Sequence, residues 1–187
     1  MIDKQLELGV CLILNQAQSL FQKKTQDYGT ISWRILRMIS LADQLFIKAK
    51  RIGEISTGIQ KVTGPGNDIE SEFIGLINYA VIGMIQNRFE ELQPGEKPMP
   101  AEEAISNYSD IADKFYSYFK NQHAYLADKI QGYSTKKFSE KLQIKCQRIK
   151  YISKIKNEGA RKIVLFGAFM EILFWSTVGH VAYKSTQ

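Results

Sequence analysis

Phe73-Ile74-Gly75-Leu76-Ile77-Asn78-Tyr79-Ala80-Val81-Ile82-Gly83-Met84-Ile85 carries one amide and one phenol among otherwise apolar side chains. Its apolar residues do not keep to one stripe. A helix built from them has no side to give to water and belongs at the centre of a protein. The pattern predicts a helix over 68–91 whose far end turns polar at Gln86-Asn87-Arg88 and Glu90-Glu91.

Toward the N-terminus, Thr57 to Asn67 reads as a loop; it contains Thr63-Gly64-Pro65-Gly66-Asn67 but lacks the Gly-Lys-Ser/Thr ending of a phosphate-cradling loop. Before it, a helix over 41–55 capped by Ser40 carries Asp43, Lys48 and Arg51. Leu6, Val10, Ile13, Ala17, Leu20 and Phe21 follow steps of three and four and predict a first helix over 4–25. Asp27-Tyr28-Gly29 ends it, with Gly29 in a left-handed cap, and a short turn holds Trp33.

Toward the C-terminus, the one proline-rich stretch, Gln93 to Pro100, reads as a linker. Helices are then predicted over 101–128, 135–156 and 160–184, with no strand pattern anywhere. The fold class is therefore all-α. Ile47-Lys48-Ala49-Lys50-Arg51-Ile52 matches Ile144-Lys145-Cys146-Gln147-Arg148-Ile149, and Tyr79 and Gly83 fall on Trp175 and Gly179. This spacing predicts two tandem three-helix units, 1–92 and 101–187, joined by 93–100 and packed as a pseudo-symmetric bundle.

Ile163 to Tyr183 is long enough to span a bilayer, but Glu171 near its middle is costly there, and its likeness to 73–85 favours a buried soluble helix. No membrane association is expected. Cys11 and Cys146 cannot build a disulfide framework, and Met1 to Glu7 has no signal-peptide character, so a reduced, cytoplasmic setting is expected. Cys11, within Val10-Cys11-Leu12-Ile13-Leu14, reads as a small buried hydrophobe.

The chain has 187 residues and ordinary globular composition, which excludes fibrous and disordered classes. Its net charge of +6 resides in the second half, and 129–162 holds eleven basic residues against two acidic. Such a segment either docks an acidic partner or nucleic acid, or is a solvated helix face. His123 and His180 share no ligand-like spacing with Asp, Glu or Cys, which argues against zinc.

Lys24-Thr25-Gln26-Asp27-Tyr28-Gly29 followed by Trp33, then Lys48-x-x-Arg51, Glu70-Ser71-Glu72-Phe73 and Ile77-Asn78-Tyr79-Ala80 form an ordered series. It resembles the family called nucleotide-modification-associated domain 1, with the second half similar to a worn second copy. That family in turn resembles, distantly, the all-α nucleoside triphosphate pyrophosphohydrolases of the MazG and dimeric dUTPase kind. The resemblance implies a MazG-like helical bundle that binds nucleotides, and carboxylates holding Mg2+ if the chain is catalytic.

The MazG-like pattern of Glu-Glu-x-x-Glu and then Glu-x-x-Asp is incomplete here. Asp43 has no carboxylate partner at that spacing, Gly75 stands where related sequences often place Asp, and Gly167 and Ala168 precede Glu171. Glu70, Glu72 and Glu171 remain the candidate metal ligands, and activity is expected to be weak or lost. Lys48 and Arg51, three apart on one helix face, are candidates to clamp phosphate, as are Lys145 and Arg148. The same cations can instead pair with Glu70, Glu72 and Glu171 across helices. Tyr28 and Trp33 are candidates to stack on a base; Asn78 and Tyr79 either read a base or ribose or bond a neighbouring helix. The expected ligand is a nucleotide or another phosphate-bearing molecule, bound by a monomer or homodimer. The alternative is a non-enzymatic module that binds nucleic acid or an acidic partner through 129–162.

Overall fold

A computed structural model describes residues 2–62, 64, 66, 68–89, 92, 95–130 and 132–187, with backbone alone for 2, 3 and 122–129. Thr63, Pro65 and Asn67 of the loop, Gln93 and Pro94 of the linker, and the His123 side chain lie outside the described residues. Within them the chain is all-helical: α1 (Ile2–Tyr28), α2 (Ile31–Arg34), α3 (Met38–Ser56), α4 (Ile69–Arg88), α5 (Ala101–Ile130), α6 (Thr135–Ile152) and α7 (Glu158–Lys184).

Each helix forms where its apolar spacing allows burial. In α1, Leu6, Val10, Ile13, Leu14, Ala17 and Phe21 make the buried stripe, and Gly29, at φ +68°, ends it in the left-handed region. α4 is buried nearly all round, from Ile69 to Asn87. Asp68 caps it, its Oδ1 accepting from the Ser71 hydroxyl and from the Ser71 backbone N–H, each at 2.7 Å, and these two hydrogen bonds hold the Asp68 carboxyl below its ordinary pKa.

Four local expectations differ from the structure. The Trp33 turn closes into helix α2. α3 begins at Met38, ahead of Ser40, after an extended Arg37 with no side-chain cap. α7 begins at Glu158, ahead of the predicted 160, because Asn157 caps it by accepting from the Ala160 N–H at 2.9 Å. Cys11 is half-buried rather than buried, whereas Cys146 is fully buried and burial raises its thiol pKa to about 12, leaving it inert.

The principal packing pairs are α4 on α7, α3 on α6 and α1 on α5, with α3 against α4 and α6 against α7. At the α4–α7 contact the Phe169 ring presses on Gly83, and the Phe73 ring presses on Gly179, where an added Cβ would stand 2.8 Å from Phe73 Cε1. Only glycine lets two helices carry phenylalanines this close. α7 is also the one described helix long and apolar enough to cross a membrane, yet most of its apolar window is buried against its neighbours.

Candidate functional site

The stripe Ser71, Ile74, Gly75, Asn78, Tyr79 and Ile82 follows helical steps of three and four along one side of α4. Facing it are Phe21, Lys24, Thr25 and Tyr28 of α1, Trp33 of α2 and Lys48 of α3, and between them lies a cavity of about 490 Å³. The cavity therefore gathers five of the predicted binding residues: Tyr28, Trp33, Lys48, Asn78 and Tyr79. Tyr28 is well exposed at its edge, whereas Trp33 is almost fully buried. Burial raises the Tyr79 phenol pKa, so its hydroxyl is a neutral donor.

Lys48 crosses α4 at Gly75. A Cβ on residue 75 would stand 2.7 Å from Lys48 Cε, so the glycine is the shelf on which the lysine rests. Lys48 Nζ then lies 3.0 Å from Glu72 Oε2, and Arg51 Nη1 3.1 Å from Glu72 Oε1. Two cations share one carboxylate, and the Glu72 side chain is only 4% exposed. With Lys24 also at the cavity, positive charge exceeds negative there, which suits an anionic group. Asn78 Oδ1 accepts from the Tyr108 hydroxyl of α5 at 2.7 Å, a link between the two halves of the chain.

Glu70 stands two residues from Glu72 and so points to another side of α4. It meets α7, with Oε2 2.9 Å from Lys184 Nζ and Oε1 3.6 Å from His180 Nε2. The Lys184 hydrogen bond is the main cause holding Glu70 below its ordinary pKa. Burial is the main cause lowering His180.

Glu171 pairs with Lys145 at 2.9 Å and Arg148 at 3.5 Å, repeating the one-carboxylate, two-cation group at a more exposed place. It borders a second cavity, of about 340 Å³, lined by Gly167, Met170, Glu171, Phe174 and Trp175 of α7 with Phe115 and Tyr118 of α5. Each α7 residue here follows an α4 residue of the first cavity by 96 positions: Ser71, Ile74, Gly75, Asn78 and Tyr79. The second cavity thus has phenylalanine for the Asn78 amide and glutamate for the Gly75 shelf.

The three candidate carboxylates do not converge. Glu70, Glu72 and Glu171 sit at separate places, each beside its own cations, and the described residues contain no group of three His, Cys, Asp or Glu side chains able to hold a metal. A magnesium site built from these three residues does not fit: they stand apart, and a carboxylate already paired with lysine or arginine has little free charge for a divalent ion.

Many bases of 129–162 also have partners. Lys150 pairs with Asp43 at 2.5 Å and Lys162 with Glu158 at 2.8 Å, while Lys141 lies 4.0 Å over the Trp175 ring. Lys154, Arg161 and Lys162 line, with Arg37, a further cleft of about 570 Å³ beside the start of α7.

Sequence reasoning did not find Tyr108, whose spacing in α5 looks like any core aromatic, or the role of Gly75, which reads as a missing carboxylate. Their signal is three-dimensional: a hydroxyl bonded across the bundle, and a lysine from another helix.

Residues 24–86 match the model of a family described as nucleotide modification associated domain 1. The matched stretch runs from Lys24 through Gln86, contains every residue named above for the 490 Å³ cavity except Phe21, and stops before α5. No curated protein and no solved structure matches the chain.

Proposed function

We propose that the chain binds a nucleotide in the 490 Å³ cavity, with Lys48 and Lys24 toward the phosphates, Trp33, Tyr28 and Tyr79 along the base, and Arg51 holding Glu72 beneath Lys48. The observation that carries this reading is the seating of Lys48 on Gly75. It brings an ammonium group to the floor of an aromatic-walled cavity that also holds an amide. A cation, flat apolar walls and one directional polar group are the three requirements of nucleotide recognition.

The protein is read as a MazG-like fold of two tandem units. The reciprocal contacts of Phe169 on Gly83 and Phe73 on Gly179 support that reading, as does the 96-residue register of the two cavities. In such an arrangement one chain supplies both halves and a monomer is self-sufficient. The second unit is the degenerate one. The dispersed carboxylates favour binding over magnesium-dependent pyrophosphohydrolysis, and the work is assigned to the cytoplasm.

A thermal-shift screen with nucleoside mono- and triphosphates, with and without magnesium, tests the proposal. A nucleotide at a hundred times its Kd adds about 2.7 kcal/mol. Stabilisation without any magnesium requirement is expected; no response to any nucleotide contradicts it.

A second reading rests on the cleft lined by Arg37, Lys154, Arg161 and Lys162, which suits a polyanion. Nucleic acid bound there would be lost steeply as salt rises. Indifference to DNA and RNA at low salt removes it.

A further inference from the structure

Tyr108 is fully buried in α5, with its ring stacked on Phe21 at a centroid distance of 4.6 Å. Its hydroxyl makes one hydrogen bond among the described residues, to Asn78. A phenol carries a single proton, and burial raises its pKa, so the hydroxyl stays protonated and needs an acceptor. Asn78 Oδ1, 2.7 Å away, is that acceptor. Were the amide turned around, its nitrogen would face the hydroxyl and the phenolic hydrogen would be a buried donor with no partner, the costlier arrangement. Tyr108 therefore fixes the amide's direction. Oδ1 is committed to α5, and Nδ2 remains as the donor that Asn78 offers to the cavity it lines.

We infer that the cavity prefers nucleotides whose base presents a carbonyl oxygen to Asn78, and that Tyr108 is the positioning residue that sets this preference. The inference rests on the nucleotide reading above. It also gives the second half of the chain, which lies outside the stretch matching the family model, a part in the site of the first. Uracil carries an oxo group where cytosine carries an amino group, and hypoxanthine differs from adenine in the same way. An amino group set against the Asn78 donor leaves hydrogens facing hydrogens, and a site built to donate rejects such an analogue strongly.

Isothermal titration with UMP against CMP and IMP against AMP, with ribose 5-phosphate as the base-free probe, tests it. The oxo member of at least one pair is expected to bind about tenfold tighter or more. In Tyr108→Phe, with Asn78 free to turn, that ratio falls to within about threefold while ribose 5-phosphate binding is unchanged. Asn78→Asp, which only accepts, reverses the preference toward the amino member; this variant decides the matter if Tyr108→Phe does not fold. Equal binding of both members, preference for the amino member by the unaltered protein, or an undiminished ratio in Tyr108→Phe overturns the inference. Binding of ribose 5-phosphate with no base preference overturns this inference alone. Absence of binding by every probe overturns the nucleotide reading together with it.

Discussion

Lys48 of α3 lies across Gly75 of α4, so close that a Cβ on residue 75 would stand 2.7 Å from Lys48 Cε. Residue 75 thus permits a cation at the cavity floor because it lacks a side chain. Gly75→Ala displaces the lysine. The obstructing atoms belong to a flexible side chain, and alanine favours the helix, so stability stays level or rises by up to about 1 kcal/mol. Affinity for a nucleotide falls about tenfold, one charge-assisted hydrogen bond's worth. Melting temperature and titration on the same sample read the two opposite effects.

Glu72 joins Lys48 and Arg51 while nearly inaccessible to water. Glu72→Gln leaves two cations with a weaker partner. Their own side chains are 26% and 23% exposed and can turn to solvent, so the loss is about 1–3 kcal/mol, below that of a fully buried pair. If Glu72 serves the cations alone, the variant binds nucleoside triphosphate at least as tightly as the parent. If it served a pyrophosphohydrolase, pyrophosphate release by the parent would be measurable and would vanish in the variant.

The Gly83–Phe169 contact predicts a different response to the same kind of change. Here the obstacle is a fully buried ring rather than a mobile chain. Gly83→Ala is expected to cost about 1–3 kcal/mol despite alanine's better helix propensity. Urea midpoints of Gly75→Ala and Gly83→Ala should therefore move apart.

His180 and Glu70 set the acid limit of stability. Burial lowers the folded pKa of His180, so the unfolded chain takes up its proton first. Stability from this group is present above its ordinary pKa, about 6.5, and falls as pH drops below it. Glu70, lowered chiefly by the Lys184 hydrogen bond, adds a second loss as pH falls below its ordinary range near 4.3 and through its folded value. Urea midpoints at pH 7.5, 6.0 and 5.0 should decline, and His180→Gln should flatten the first part of that decline. A flat profile in the parent contradicts the assignment.

The architecture was legible because α4 is apolar on every side, which leaves a helix one place to go. Lys48, Asn78, Tyr79 and the aromatics were legible as a motif in order along the chain. Helix ends were less so: Ser40 looks like a cap, yet Met38 already packs on the core, and burial of that first turn outweighs a side-chain cap. Gly75 and Tyr108 could not be weighed from spacing, because their meaning lies in contacts with helices far away in the chain. The grouping of Glu70 with Glu72 failed for a simpler reason: residues two apart on a helix do not share a face.

Isothermal titration of a nucleoside triphosphate into the unaltered protein, Lys48→Met and Lys145→Met asks whether Lys48 holds the phosphates. The cavity between α1, α3 and α4 predicts binding by the unaltered protein, a loss of about tenfold or more in Lys48→Met, and no change in Lys145→Met, whose cation serves Glu171 elsewhere. Absence of binding by the unaltered protein, or equal affinities in the two lysine variants, contradicts it.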